Sequence, residues 1–240
     1  MNKFLEATKL LDYQHPSLQN LIQEKGWTQL VDSEKVRQIY NFVRDEILFG
    51  YNMADDIPAS QILKEGYGQC NTKSTLLMAL LRAVRIPCRI HGFTINKQLQ
   101  KGAVTGIWYR LSPSNILHSW VEVGLGGAWY FLEGVILDKP YLSALQRKFS
   151  HCKTTFCGYG AYTENFANPV IDWNSNHTFI QDKGINQDFG VFDSPDAFYA
   201  HHQQRMGFLK RWIFRNYVRH LMNRNVREIR NGYGQKLKET

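Results

Sequence analysis

The chain has 240 residues, 43% of them hydrophobic and 21% charged, with 6 Trp, 12 Tyr and 14 Phe. That apolar and aromatic content excludes a disordered chain and fits one core-forming domain with extensions. The formal net charge is +8, and from Arg205 onward ten basic residues face only Glu228 and Glu239, so the excess lies in the C-terminal segment.

No stretch approaches the roughly 20 apolar residues that span a bilayer. The opening MNKFLEATKLLDYQHP mixes charged residues into its apolar ones and lacks the apolar run of a signal peptide. The expected location is cytoplasmic. Cys70, Cys88, Cys152 and Cys157 are too few for a disulfide framework, so each is read singly as core thiol, ligand or nucleophile.

In chain order, residues 17–49 read as helical. From Ser33, a capping residue, Val36, Ile39, Tyr40, Val43 and Ile47 recur at helical spacing. Residues 52–58 read as a loop and 60–64 as a short helix, stopped by Gly66 and Gly68. A stronger helix runs from Cys70 to about Val84, with Leu76, Leu77, Leu80 and Leu81 as its stripe and Pro87 as its stop. Residues 88–95 read as a strand and 96–116 as a loop.

Residues 118–123 and 128–132 read as strands joined by the GLGG connection 124–127. Residues 135–137 read as an extension of the sheet and 141–149 as a helix. Residues 150–194 read as irregular, and helix returns from Pro195 to about Arg230. Helices, a Cys-headed helix, then antiparallel strands make an α+β arrangement.

The reactive form of cysteine is the thiolate, which the partial positive charge and unpaired N–H groups of a helix N-terminus favour. Cys70 follows GYGQ and opens the Leu-rich helix. Its backbone N–H is a natural oxyanion donor there. Taken alone, the same residue also fits a buried core thiol. A catalytic cysteine needs a base, and the base needs an orienting acceptor. His118 opens HSWVEV and Glu133 closes AWYFLE, so antiparallel pairing predicts them as cross-strand neighbours. Alone, that pair also fits a half-buried strand His and a surface Glu.

Together these pieces resemble the transglutaminase-like superfamily. GYGQCNTKSTLLMALLRAVRIPCRIHGF is similar to the family's Cys-headed helix and the Ile-Pro-x-Arg strand after it. HSWVEVGLGGAWYFLEG is similar to its His-x-Trp-x-Glu-Val segment, and ASQILKEG to its approach to the cysteine. The resemblance covers about residues 40–135. It implies a papain-like transglutaminase core with the nucleophile helix packed on an antiparallel sheet. It also implies a triad of Cys70 as nucleophile, His118 as base and Glu133 as third member.

Three departures stand out. Glu133 replaces the family's usual Asp, Gly134 its following Pro, and Arg85 the Gly before Ile-Pro. Asp138 is the fallback acid. The implied function is cleavage or transfer of acyl groups at peptide or amide bonds through a Cys thioester. The alternative is an inactive binding protein on the same fold that uses a basic helix. An arylamine acetyltransferase-like enzyme is a more distant third reading.

Residues 1–194 are expected to form the catalytic domain, with its core at about 33–140, and 195–240 a basic helical extension. His151, Cys152 and Cys157, with His177 in reserve, have zinc-ligand chemistry but an isolated spacing. No metal, no cofactor and no calcium loop are expected. Trp120, Trp129 and Cys88 are expected in the core, with a substrate groove as the alternative for the two Trp, and Gln69 and Asn71 are expected as turn or cap residues, with polar contacts beside the nucleophile as their alternative. In the tail, Phe208, Leu209, Trp212, Ile213, Tyr217 and Leu221 form a stripe flanked by Arg211, Arg215 and Arg219. Packing on the catalytic domain is the favoured expectation. An anionic membrane surface or nucleic acid is the other.

Overall fold

The computed structural model describes residues 2–204 and 207–232. Met1, Arg205, Met206 and the last eight residues of the expected extension lie outside the described residues.

The expected helical stretch at 17–49 is divided. Helix α1 spans Pro16–Glu24, a short 3-10 turn follows, α2 spans Asp32–Asp45, and β1 is Leu48–Phe49. Gly26, at φ +64°, makes the break. Helix α3 (Ala59–Glu65) leads into β2 (Tyr67–Gly68), which pairs in parallel with β1, and α4 (Cys70–Ala83) begins two residues later.

Helix α4 is the centre of the fold. Residues Asn71 to Arg82 are all buried, so the expected one-sided Leu stripe is a helix enclosed on every side. Each of Leu76, Leu77, Leu80 and Leu81 is fully buried and contributes roughly 1.5–3 kcal/mol. The buried polar residues of α4 find partners, as such groups must. Thr75 bonds to the Asn71 carbonyl and Arg82 to the carbonyls of Glu6, Cys88 and Asp193. Lys73 donates to the Arg44 and Ile136 carbonyls at 2.9 and 3.0 Å.

The helix ends before Pro87. Val84 is its C-cap, and Arg85 follows in the left-handed region at φ +67°. That conformation explains the departure at this position: glycine adopts it without strain, and Arg85 does not.

Strand β3 (Cys88–Asn96) follows, then α5 (Gly106–Leu111) inside the stretch expected to be loop. Strands β4 (Asn115–Leu125) and β5 (Ala128–Phe131) form the expected hairpin. Residues 135–137 do not extend the sheet. A 3-10 turn at Glu133–Val135 takes the chain out of it, and α6 (Lys139–Lys148) follows, capped by Asp138.

The region 150–194 also departs from expectation. It holds the hairpin β6 (Phe156–Gly158) with β7 (Ala161–Thr163), then β8 (Ile185–Phe192). Strand β8 joins the main sheet, whose order is β5-β4-β3-β8. Its residues are mostly exposed, which leaves no alternation to read.

Helix α7 (Pro195–His201) packs on β3 and β8. Phe198 lies so close to Gly92 that a Cβ there would sit 2.1 Å from its ring. Beyond it, α8 (Phe208–Ile213), a π-helical turn (Phe214–Val218) and α9 (Arg219–Arg230) replace the single helix expected. Trp120 and Cys88 are buried as expected, whereas Trp129 is half-buried beneath the Arg89 guanidinium at 4.0 Å.

Candidate active site

Cys70 is the first residue of α4, with Gln69 as N-cap. The turn before it is tightly built. A Cβ on Gly68 would meet Thr72 Oγ1 at 2.7 Å, so only glycine fits there. The Thr72 hydroxyl accepts from the Gln69 N–H at 3.1 Å and donates to Asn52 Oδ1 at 2.6 Å. Gln69 is more than a cap. Its Oε1 accepts from the Asn52 N–H at 2.8 Å and its Nε2 donates to Asp55 at 2.9 Å, which ties the loop 52–58 to the mouth of α4. Burial pushes the Asp55 carboxyl up, against the lowering hydrogen bond from Gln69.

His118 lies in the middle of β4, not at its start, and is fully buried. Its ring packs on Phe93, centroids 4.7 Å apart. Its Nδ1 accepts from the Ser119 backbone N–H at 2.8 Å, and the Cys70 sulfur acts on the ring by its charge. Its Nε2 stands 3.7 Å from Glu133 Oε1, an ion-pair distance longer than a hydrogen bond. Among the described residues, neither of these two buried atoms has another hydrogen-bond partner. Burial alone lowers the His118 pKa. The charge of the Cys70 sulfur, with that of Glu133, outweighs it and raises the value to about 10.

Glu133 reaches His118 by a route other than the one expected. The β4–β5 ladder pairs Glu122 with Phe131, so Glu133 is not a cross-strand neighbour of His118. It stands on the 3-10 turn, where the chain bends inward. Its backbone N–H donates to the Thr178 carbonyl at 3.1 Å. Its Oε2 accepts from the backbone N–H groups of Ile180 and Gln181, leaving Oε1 for the imidazole. The departure at Gly134 has a steric cause: a Cβ there would sit 2.8 Å from the Tyr40 hydroxyl.

Asp138 is committed elsewhere. It caps α6 through the Tyr141 N–H at 2.9 Å, accepts from the Phe49 N–H at 2.8 Å and pairs with Arg230 at 2.8 Å. Burial pushes its carboxyl up, but those donors bring it below the usual carboxylate range.

Asn71, expected as a turn or cap residue, is fully buried between α4 and β4. Its Nδ2 donates to the Leu117 carbonyl at 3.1 Å, and its Oδ1 accepts from the Ser119 hydroxyl at 2.9 Å. These partners bracket His118, so one side chain fixes the base relative to the residue after Cys70. Asn71→Ala should cost about 1–3 kcal/mol through the partners left unsatisfied. It should also slow alkylation of Cys70 by iodoacetamide. Denaturant unfolding and alkylation rates measure the two effects separately.

The motif residues Arg89 and Glu122 pair across β3 and β4 at 2.7 Å. His91 joins them, with its two ring nitrogens on Glu122 and Asp188 at 2.8 and 2.7 Å. No cysteine or serine touches this second His–carboxylate cluster in any of those contacts. His151, Cys152 and Cys157 do not assemble: Cys152 Sγ faces the Thr155 carbonyl. Among the described residues no three His, Cys, Asp or Glu side chains form a metal-binding group. His177 is engaged by the Phe131 N–H at 3.1 Å.

The structure thus brings together a thiol at the mouth of α4, a buried imidazole and a buried carboxylate. Residues 19–134 match the model of the transglutaminase-like superfamily. The matched residues run from α1 to the Glu133–Gly134 turn. No curated protein matches the chain.

Three solved structures are similar. A candidate cysteine protease from Cytophaga hutchinsonii is 16% identical over 81% of this chain and 47% of its own, with a TM-score of 0.45. A candidate protease from Parabacteroides distasonis is 16% identical over 54% of this chain and 24% of its own, at 0.33. Red sea bream transglutaminase is 19% identical over 41% and 21%, at 0.28. The chain thus spans about half the length of the first and less of the others.

Proposed function

We propose that this chain is a cysteine hydrolase or acyltransferase acting on peptide or amide bonds, with Cys70 as nucleophile, His118 as acid–base and Glu133 as the group that orients the imidazole. The observation that carries the reading is the fully buried His118 ring, whose Nε2 stands 3.7 Å from a carboxylate oxygen with no hydrogen-bond partner among the described residues, and whose pKa the charge of the Cys70 sulfur raises. In this reading residues 1–194 are the catalytic unit and the segment from 195 is an extension packed on it.

The chemistry follows from the groups. The Cys70 thiolate adds to the carbonyl carbon, and the oxyanion is met by N–H groups of the first turn of α4. The C–N bond breaks as the His118 imidazolium gives its proton to the departing nitrogen. A thioester on Cys70 remains. Water attacks it while His118 takes a proton, releasing the acid and restoring the thiolate–imidazolium pair. An amine attacking in place of water gives acyl transfer. Glu133 keeps one ring tautomer and stabilises the charged ring.

Acid-quenched intact mass spectrometry after incubation with a pool of peptides tests this. The expected result is an acyl adduct that maps to Cys70 and disappears in Cys70→Ala. A wild-type chain with no adduct, whose Cys70 alkylates no faster than in the denatured chain, would refute the reading and favour an inert binding protein.

A further inference from the structure

The C-terminal helix has two faces with different fates. One face is fixed to the body of the protein. Val218, Met222 and Val226 are buried. Asn223 exchanges hydrogen bonds with the Tyr51 backbone at 2.7 and 3.0 Å, and Arg230 pairs with Asp138. Arg219 reaches the Tyr67 hydroxyl at 3.5 Å, just ahead of the turn that carries Cys70. These contacts fix which side of the helix points outward.

That outward side is apolar. Phe208 is 86% exposed, Leu209 67%, Tyr217 57%, Leu221 50% and Trp212 48%. Such large side chains grouped on one short stretch are unlike the scattered apolar residues of an ordinary surface. Interleaved with them, Lys210, Arg211 and Arg215 are also exposed. Among the described residues none of these three pairs with a carboxylate. From Phe208 to Arg230 the only acidic residue is Glu228, which Arg224 engages at 2.8 Å.

We propose that residues 208–221 form a docking surface for a bilayer rich in anionic lipid. The side chains are those an interfacial helix uses: aromatic and Leu groups that enter the acyl boundary, and Arg and Lys that meet the headgroup phosphates. The expected packing of the tail on the body of the protein holds for the inner side of the helix alone. A second copy of the chain is a poor occupant, because the same unpaired cations would meet each other. Nucleic acid would engage the arginines but leaves Phe208, Leu209 and Leu221 without a role. No helix among the described residues is long and apolar enough to cross a membrane, so the contact is one of lying on the surface. The proposal is independent of catalysis at Cys70.

Vesicle co-sedimentation of the full chain tests it. The vesicles are phosphatidylcholine alone, or with about one third phosphatidylserine. The full chain should pellet with the anionic vesicles, weakly with the neutral ones, and less as salt rises. Two variants with unchanged melting temperature, Phe208→Asp/Trp212→Glu and Arg211→Glu/Arg215→Glu, should each lose about tenfold or more in partitioning. Equal pelleting on both vesicles, no pelleting, or variants that pellet like the wild type would overturn the proposal. So would binding to single-stranded RNA in a chain that ignores vesicles.

Discussion

His118→Ala is expected to slow acylation of Cys70 by about 10²–10⁴-fold, the contribution of a positioned general acid–base. The loss has two physical sources. The leaving nitrogen loses its proton donor, and the sulfur loses the imidazolium beside it. The structure ties the two together, because the ring is buried and its pKa is raised to about 10 despite that burial, chiefly by the Cys70 sulfur and then by Glu133. Single-turnover acylation and alkylation by iodoacetamide should therefore fall together. A variant that alkylates at the wild-type rate would show that the two side chains are not coupled.

The same ring carries a stability signature. Its folded pKa lies above the ordinary value near ~6.5. Its contribution is therefore complete below about pH 6.5 and lost as pH rises through about 10. Wild type should lose stability relative to His118→Ala over that window, which denaturant unfolding at stepped pH measures.

Lys73 should give the second large effect, with the opposite sign. Three residues after Cys70, it is fully buried, and its ammonium meets two backbone carbonyls. Burial lowers its pKa to about 7, with Asp138 and Asp45 opposing only in part. The unfolded chain holds the proton up to the ordinary value near ~10.4. Between about pH 7 and 10 the unfolded state therefore binds more protons than the folded one, and stability rises with pH. Relative to Lys73→Met, wild type should gain about 3 kcal/mol over that interval. A difference between the two proteins that stays flat across it would mean that Lys73 does not release its proton in the fold. The Lys73→Met and His118→Ala series, run together, separate two titrations that partly cancel in the wild type.

The local part of the candidate site was legible because it is written in contiguous residues. GYGQC places a cysteine at a helix mouth, and HSWVEV places a histidine on a strand. Both statements need only short-range propensity and spacing. The motif also pointed to Glu133 as the candidate third acid, but the position of that residue in the fold was not legible. Glu133 was expected on a strand opposite His118. It stands instead on a 3-10 turn, held there by backbone N–H groups of Ile180 and Gln181. Any residue supplies such a donor, so no residue type at 180 or 181 announces the clamp. Asn71 went unrecognised for a related reason. An Asn in a first helical turn reads as a local cap, and only the approach of β4 turns it into a bridge around His118.

By itself the sequence determined the α+β class, the Cys-headed helix, the β4–β5 hairpin and the location of the basic excess. Tertiary structure decided the rest: β8 as the fourth strand, Asp138 as a cap for α6 and partner of Arg230, and the outward side of the C-terminal helix. The physical division is one of range. Periodicity and capping act within a turn or two, whereas burial and long-range hydrogen bonds are set only when distant segments meet. Lys73 shows the difference most clearly: nothing about a lysine in a helix reveals that two carbonyls, from Arg44 and Ile136, will close over it.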